Sequence, residues 1–160
     1  MLNFKQVHDL VARPMCAHFP KPKQAAVMLM RIGAHEHAIS NESYLRQVSR
    51  SRSGYGPARG WLQFEPATVR AVTLWAAARS LSLSQKSAWL EFGNVSSPDV
   101  LMWDLRASAI YGRMNLYASP YHMPDTDDDD GAYNVYRKVW RPGALPSRSK
   151  FAAAFKRWSK

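Results

Sequence analysis

The sequence predicts an all-α fold built as a single domain, on three observations. Apolar residues recur at helical spacing through most of the chain. No two alternating segments flank a tight turn as a hairpin would, and β-branched stretches are short and isolated. Prolines and glycines fall between the periodic segments, where they start and stop helices. At 160 residues, 1–160 has the length of one domain with enough material for a real core.

The elements follow in order. A short first helix is expected near Asn3–Val11, closed by Pro14. A second spans about Lys23–His37, with Pro20 and Pro22 just ahead of it. A polar segment, Ser40–Tyr55, carries Arg46, Arg50 and Arg52 and gives no helical pattern. Pro66-Ala67-Thr68 reads as a helix start, because proline in the first turn lacks an N–H that would go unpaired anyway. The alanine-rich stretch Val69–Ser80 continues it. Ser84–Phe92 is a further helix, stopped by Gly93-Asn94. Ser97-Pro98-Asp99 combines a cap, a first-turn proline and an acid suited to the positive helix end, so a helix is expected from there to about Ala118. Pro120 and Pro124 end it, and the acidic run Asp125–Asp130 is expected as a loop. Ala132–Trp140 places Tyr133, Tyr136 and Trp140 at helical spacing before Arg141-Pro142-Gly143 breaks the pattern. The last helix, Ser147–Trp158, is basic and puts Phe151, Phe155 and Trp158 on one side. That face suits either the domain core or a membrane surface.

The net charge of +10 favours polyanionic partners: nucleic acid, anionic lipid or the acidic polymers of a bacterial envelope. The charge is unevenly spread, since no acid follows Asp130 while eight lysines and arginines do. No apolar run is long enough to span a membrane. Met1-Leu2-Asn3-Phe4-Lys5 is not followed by an apolar signal core, so export by a classical signal is not expected. A single cysteine, Cys16, excludes an internal disulfide. His35-Glu36-His37 lacks the spacing that puts two imidazoles on one helix face, and the Asp127–Asp130 run lacks the ligand alternation and glycine of a calcium loop. Neither a metal nor another cofactor is expected.

The residues that could carry chemistry are a glutamate and a turn. Glu36 ends the apolar helix with Ala25, Leu29 and Ile32 behind it. An apolar wall raises a carboxyl pKa and keeps the group protonated near neutral pH, as a general acid requires. Gly33, one turn earlier, leaves room for a backbone or a ligand to come close. The turn Gly56-Pro57-Ala58-Arg59-Gly60-Trp61-Leu62-Gln63-Phe64-Glu65 offers Gln63, which can both donate to and accept from a sugar hydroxyl or acetamido group. Trp61, Tyr55 and Tyr111 offer flat faces for sugar rings. Glu42, in Asn41-Glu42-Ser43-Tyr44, is the competing acid. Glu65 reads either as a second carboxylate or as a residue leading into the helix at Pro66. A second carboxylate would activate water or act as nucleophile; without one the substrate itself supplies the nucleophile.

At these residues the chain resembles the lysozyme-like superfamily, in its lytic transglycosylase and phage-lysin branch. There a glutamate at a helix end, often in Glu-Ser, precedes a Gly-Ala-x-Gly-x-x-Gln turn. Gly56-Pro57-Ala58-Arg59-Gly60-Trp61-Leu62-Gln63-Phe64-Glu65 is similar to the form of that turn found in phage proteins. Ala107–Met114 resembles the next helix, which lines the cleft, and Val139-Trp140-Arg141-Pro142-Gly143 the element that follows. The resemblance spans about 25–158. It implies a helical lysozyme-like fold that cleaves the MurNAc–GlcNAc bond of peptidoglycan, as a muramidase or a lytic transglycosylase. Glu36 or Glu42 would be its acid, with Gly60, Trp61, Gln63 and Tyr111 on the substrate. It further implies synthesis in the host cytoplasm and action at the bacterial cell wall, as an endolysin or a virion-associated protein. The expected partners are glycan strands, an anionic envelope surface and other virion proteins. One departure stands out: both Glu36 and Glu42 lie further ahead of Gln63 than the family's acid does, so either Glu36 keeps the family's helix register and Ser40–Ser53 contains an insertion, or Glu42-Ser43 is the Glu-Ser element and the helix extends or restarts. Glu42-Ser43 keeps the Glu-Ser pair but lacks the apolar helix, which favours Glu36.

A rival reading from another class is a virion structural or nucleic-acid-binding protein on a degenerate lysozyme-like fold. Its warrant is the +10 charge and the Arg/Ser-rich stretch Ser49–Ser53.

Overall fold

The computed structural model describes residues 3–36, 46–48, 55–140 and 145–160. Helices dominate, as expected. The chain opens with α1 (Phe4–Val7), a π-helical turn (His8–Ala12) and α2 (Arg13–Cys16) in one continuous run. Pro14 does not end this helix. The π-helical turn just before it shifts the hydrogen-bond register, with the Arg13 N–H reaching His8 O, so Pro14 falls in a new first turn where its missing N–H costs little. Then come α3 (Pro22–Glu36) and a two-stranded antiparallel pair, β1 (Arg46–Val48) and β2 (Tyr55–Arg59), with Arg46 opposite Arg59 and Val48 opposite Tyr55 across an irregular register. The pair corrects the expectation of no hairpin. Its strands are too short and polar to show a period of two.

Four helices follow the strands: α4 (Pro66–Ala78), α5 (Leu83–Ala88), α6 (Leu105–Ala118) and α7 (Asp129–Val139). The basic helix α8 (Arg148–Trp158) closes the chain. Helix α5 starts in a capping box between Ser82 and Gln85 and runs into a π-helical turn, Trp89–Gly93. The single helix expected from Ser97 is in fact two pieces. A 3₁₀ segment, Pro98–Met102, stops at Trp103, and Asp104 caps α6 afresh by accepting the Arg106 and Ala107 N–H groups. The acidic run is not all loop either. Asp128 caps α7, and Asp129 and Asp130 occupy its first turn, where negative charge meets the positive end of the helix.

Helix α3 is the centre of the molecule. Ala25, Ala26, Met28, Leu29, Met30 and Ile32 are all buried, so it is apolar nearly all round and packs against α2, α6, α7 and α8. Its one buried charge, Arg31, is ion-paired with Asp129, donates to Thr126 O at 3.0 Å and lies over the Phe155 ring. This set ties the start of α7 to α3. The aromatic face of α8 docks on the core: Phe151 is buried, and Phe155 and Trp158 meet Phe4 edge-on at 5.6 and 5.1 Å. Cys16 is buried, which pushes its thiol up to about 12 and leaves it inert. No helix among the described residues is long and apolar enough to cross a membrane.

Gly33 sets the closest approach in the core. A Cβ there would fall inside the Trp61 ring carbons, which rest directly on the helix backbone. Gly33→Ala should destabilise the protein by about 1–3 kcal/mol through overpacking. Urea unfolding of the variant beside wild type measures the loss.

Candidate functional site

Glu36 is the last residue of α3 and lines a cleft of about 770 Å³. Across the cleft stand residues of the turn after β2, the first turns of α4, the end of α6 and the face of α7. The turn is tight. Arg59 and Phe64 exchange two backbone hydrogen bonds of 2.8 Å, leaving Gly60-Trp61-Leu62-Gln63 as the loop between them. Both ends of that loop are left-handed, Gly60 at φ +74° and Gln63 at φ +52°. The second is a conformation that side chains other than glycine and asparagine rarely adopt, and the Gln63 amide steadies it by donating to Gly60 O at 2.7 Å. Trp61 and Leu62, between them, plunge into the core. The Trp140 indole N–H donates to Leu62 O at 3.0 Å and fastens the loop to α7.

The electrostatics of Glu36 come from what surrounds it. The Tyr136 hydroxyl, on α7, donates to Glu36 Oε1 at 2.7 Å. Tyr136 itself is buried, stacked on Phe151 at 4.7 Å with the His35 ring edge-on at 5.5 Å. Loss of water raises the Glu36 carboxyl pKa, and the hydrogen bond from Tyr136 offsets part of that rise. The negative end of the α3 dipole acts in the same sense as desolvation. The Tyr136 hydroxyl is held well above its ordinary range by burial and by the adjacent carboxyl, so it keeps its proton and acts as a donor. His35 is pushed down by burial and stays neutral. One carboxyl oxygen is thus occupied by a donor, within a site that favours a proton on the group.

The sequence-derived site residues divide. Glu36 and Gln63 both line the cleft. Gly60, Trp61 and Tyr111 do not, and their substrate-contact role is corrected. A Cβ on Gly60 would lie 2.6 Å from Leu101 O and 2.8 Å from Ser108 Oγ, so its backbone faces protein rather than a ligand. Trp61 is 1% exposed and fills the slot left by Gly33; what comes close at that glycine is a side chain of the same chain. Tyr111 is also 1% exposed, its hydroxyl paired with Thr73 Oγ1 at 2.9 Å and its ring between Phe64 and Trp89. Glu42 and the side chain of Tyr55 lie outside the described residues. Sequence reasoning missed Tyr136, Lys138, Asn115 and Tyr121 as lining residues. Only Tyr136 left a signal, as a hydroxyl within an aromatic stripe that would need a partner on burial. Among the described residues no group of three His, Cys, Asp or Glu side chains could hold a metal ion.

The chain matches no family model, no curated protein and no solved structure.

The raised carboxyl has a consequence for stability. A carboxyl whose pKa is higher folded than unfolded contributes stability that is present below the unfolded value, 4.5, and is lost as pH rises through the folded value. Glu36→Gln removes that loss. Wild type and Glu36→Gln should unfold at similar urea concentrations near pH 4, with the variant pulling ahead as pH rises towards 8.

Proposed function

We propose that this protein is a peptidoglycan-cleaving enzyme of the lysozyme-like, phage type, cutting the MurNAc–GlcNAc β-1,4 bond with Glu36 as general acid. The observation that carries the reading is a glutamate at the end of a buried helix, desolvated, held by a tyrosine and open to a cleft that also receives Gln63. Protonation of a glycosidic oxygen is served by a carboxyl that holds its proton to higher pH than usual, and desolvation moves Glu36 in that direction. The rest of the cleft suits a hydroxyl-rich ligand. Gln63, Thr68, Asn115, Ser119 and Tyr121 supply donors and acceptors, with Ala58, Ala67 and Ala71 between them. The +10 charge favours approach to an anionic wall. The likeness of Gly56–Glu65 to the turn of phage lysins gives the substrate class, and the mostly helical architecture is compatible with it.

In the proposed reaction Glu36 gives its proton to the leaving oxygen as the C1–O4 bond breaks. The carboxylate so formed sits beside the Tyr136 hydroxyl, which steadies the new charge. This step is common to hydrolysis and to intramolecular transfer onto the C6 hydroxyl.

Incubation with purified peptidoglycan, followed by mass spectrometry of the released muropeptides, tests the reading. Wild type should release disaccharide-peptides. Glu36→Gln should lose at least about 100-fold in rate while keeping its fold, and Glu42→Gln should keep its activity. No release by folded wild type would overturn the enzyme reading and favour a virion structural or nucleic-acid-binding role, for which salt-sensitive binding of a polyanion is the corresponding measurement.

A further inference from the structure

Gln63, Phe64 and Glu65 all line the cleft that holds Glu36. Phe64 is 2% exposed and anchored in the core between Tyr111 and Trp140, with Gln63 and Glu65 on either side of it in the chain. Two carboxyl groups therefore line one cleft in contrasting surroundings: Glu36 is desolvated against Tyr136, and Glu65 is open to solvent. Glu65 occupies the N-cap of α4 with extended backbone, φ −75° and ψ 148°, yet its side chain accepts no N–H of the first helical turn. A shorter side chain, Ser, Asp or Asn, is what capping favours at this position. Among the described residues the Glu65 carboxyl takes part in no hydrogen bond or ion pair. The backbone that presents it is fixed: the Arg59–Phe64 bridge, the left-handed Gln63 and Pro66 hold it from both sides. The Glu65 carboxylate, engaged by no cap and no cation among the described residues, has its oxygens available to accept a hydrogen bond from water in the cleft.

We propose that Glu65 is the second carboxylate of the reaction and activates water, so that the cleft hydrolyses its glycan rather than forming a 1,6-anhydro ring. The inference rests on the peptidoglycan reading above. As the C1–O4 bond breaks, Glu36 gives its proton to O4. A water oxygen bonds to C1 and passes one proton to Glu65. The products are a free C4 hydroxyl and a reducing MurNAc end. Glu65 then returns its proton to solvent and Glu36 regains one, so atoms and charge balance with water as the only co-reactant.

The experiment is digestion of purified peptidoglycan in ¹⁸O-water by wild type, Glu65→Gln and Glu65→Asp, with mass spectrometry of the reducing ends. The samples are quenched by immediate borohydride reduction, which traps the new oxygen before it exchanges. Wild type should give reduced MurNAc ends carrying one ¹⁸O. Glu65→Gln should slow release by at least about 100-fold. Glu65→Asp should recover part of the rate, and both variants should keep the wild-type circular dichroism spectrum. Anhydro ends without ¹⁸O, or a Glu65→Gln rate equal to wild type, would overturn the role of Glu65 while leaving Glu36 as the acid. Absence of any release by wild type would overturn both.

Discussion

The contact on which the site depends is Trp61 against the bare backbone of α3 at Gly33. Glu36 lies three residues further along the same helix, so this contact fixes the Gly60–Gln63 loop against the helix that carries the carboxyl. The indole is buried beneath the Gly60–Gln63 loop, and Leu62 next to it is buried against Gly112 together with Leu29. With those two side chains sunk in the core, the loop has one arrangement, and its last residue, Gln63, reaches the cleft. A few tenths of an ångström of misfit at Gly33 would be passed on to the spacing between Gln63 and Glu36, because the interior is close-packed.

A second fastening brings α7 to the same place. Arg31 is buried and paired with Asp129 at the start of α7, and Trp140, just after α7, is bonded to Leu62 O. Tyr136 lies between these two ties and donates to Glu36. With Arg31 buried and Asp129 only partly exposed, this pair is less screened by water than the exposed Arg148–Asp130 pair nearby, so the first tie is the stronger hold on the start of α7. The carboxyl then feels two opposed effects. Desolvation favours the proton, and the tyrosine hydrogen bond favours the charge; desolvation is the larger. A general acid gains from both, since it must begin protonated and end charged.

Much of the helical frame was legible in the sequence. Pro66 and the Ser147 cap mark real helix starts, and the apolar stripe of α3 is too long to be anything but a buried helix. Glu36 and Gln63 were legible as candidates, since a glutamate behind an apolar helix and a glutamine in a glycine turn show in residue type, and the structure brings both to one cleft. What failed was the direction of aromatic side chains. Trp61 and Tyr111 look like sugar platforms when only the sequence is known; whether an indole faces solvent or a glycine on another element is a tertiary fact. The same holds for Tyr136, which is 100 residues from Glu36 along the chain. Local signals also misled where two rules competed. Pro14 was overruled by a π-helical register shift, and the Asp125–Asp130 run reads as solvated loop until Asp128 is recognised as a cap.

What sets Glu36 apart is that desolvation in the cleft raises its carboxyl pKa above the ordinary glutamate value. The most direct measurement is a carboxyl ¹³C NMR titration of wild type, with Glu36 assigned by its disappearance in Glu36→Gln. The account predicts a midpoint above the ordinary glutamate value of 4.5 that rises further in Tyr136→Phe, where the hydrogen bond opposing the rise is gone. A midpoint at or below the ordinary value in wild type would contradict it, and would leave Glu36 without the property a general acid needs.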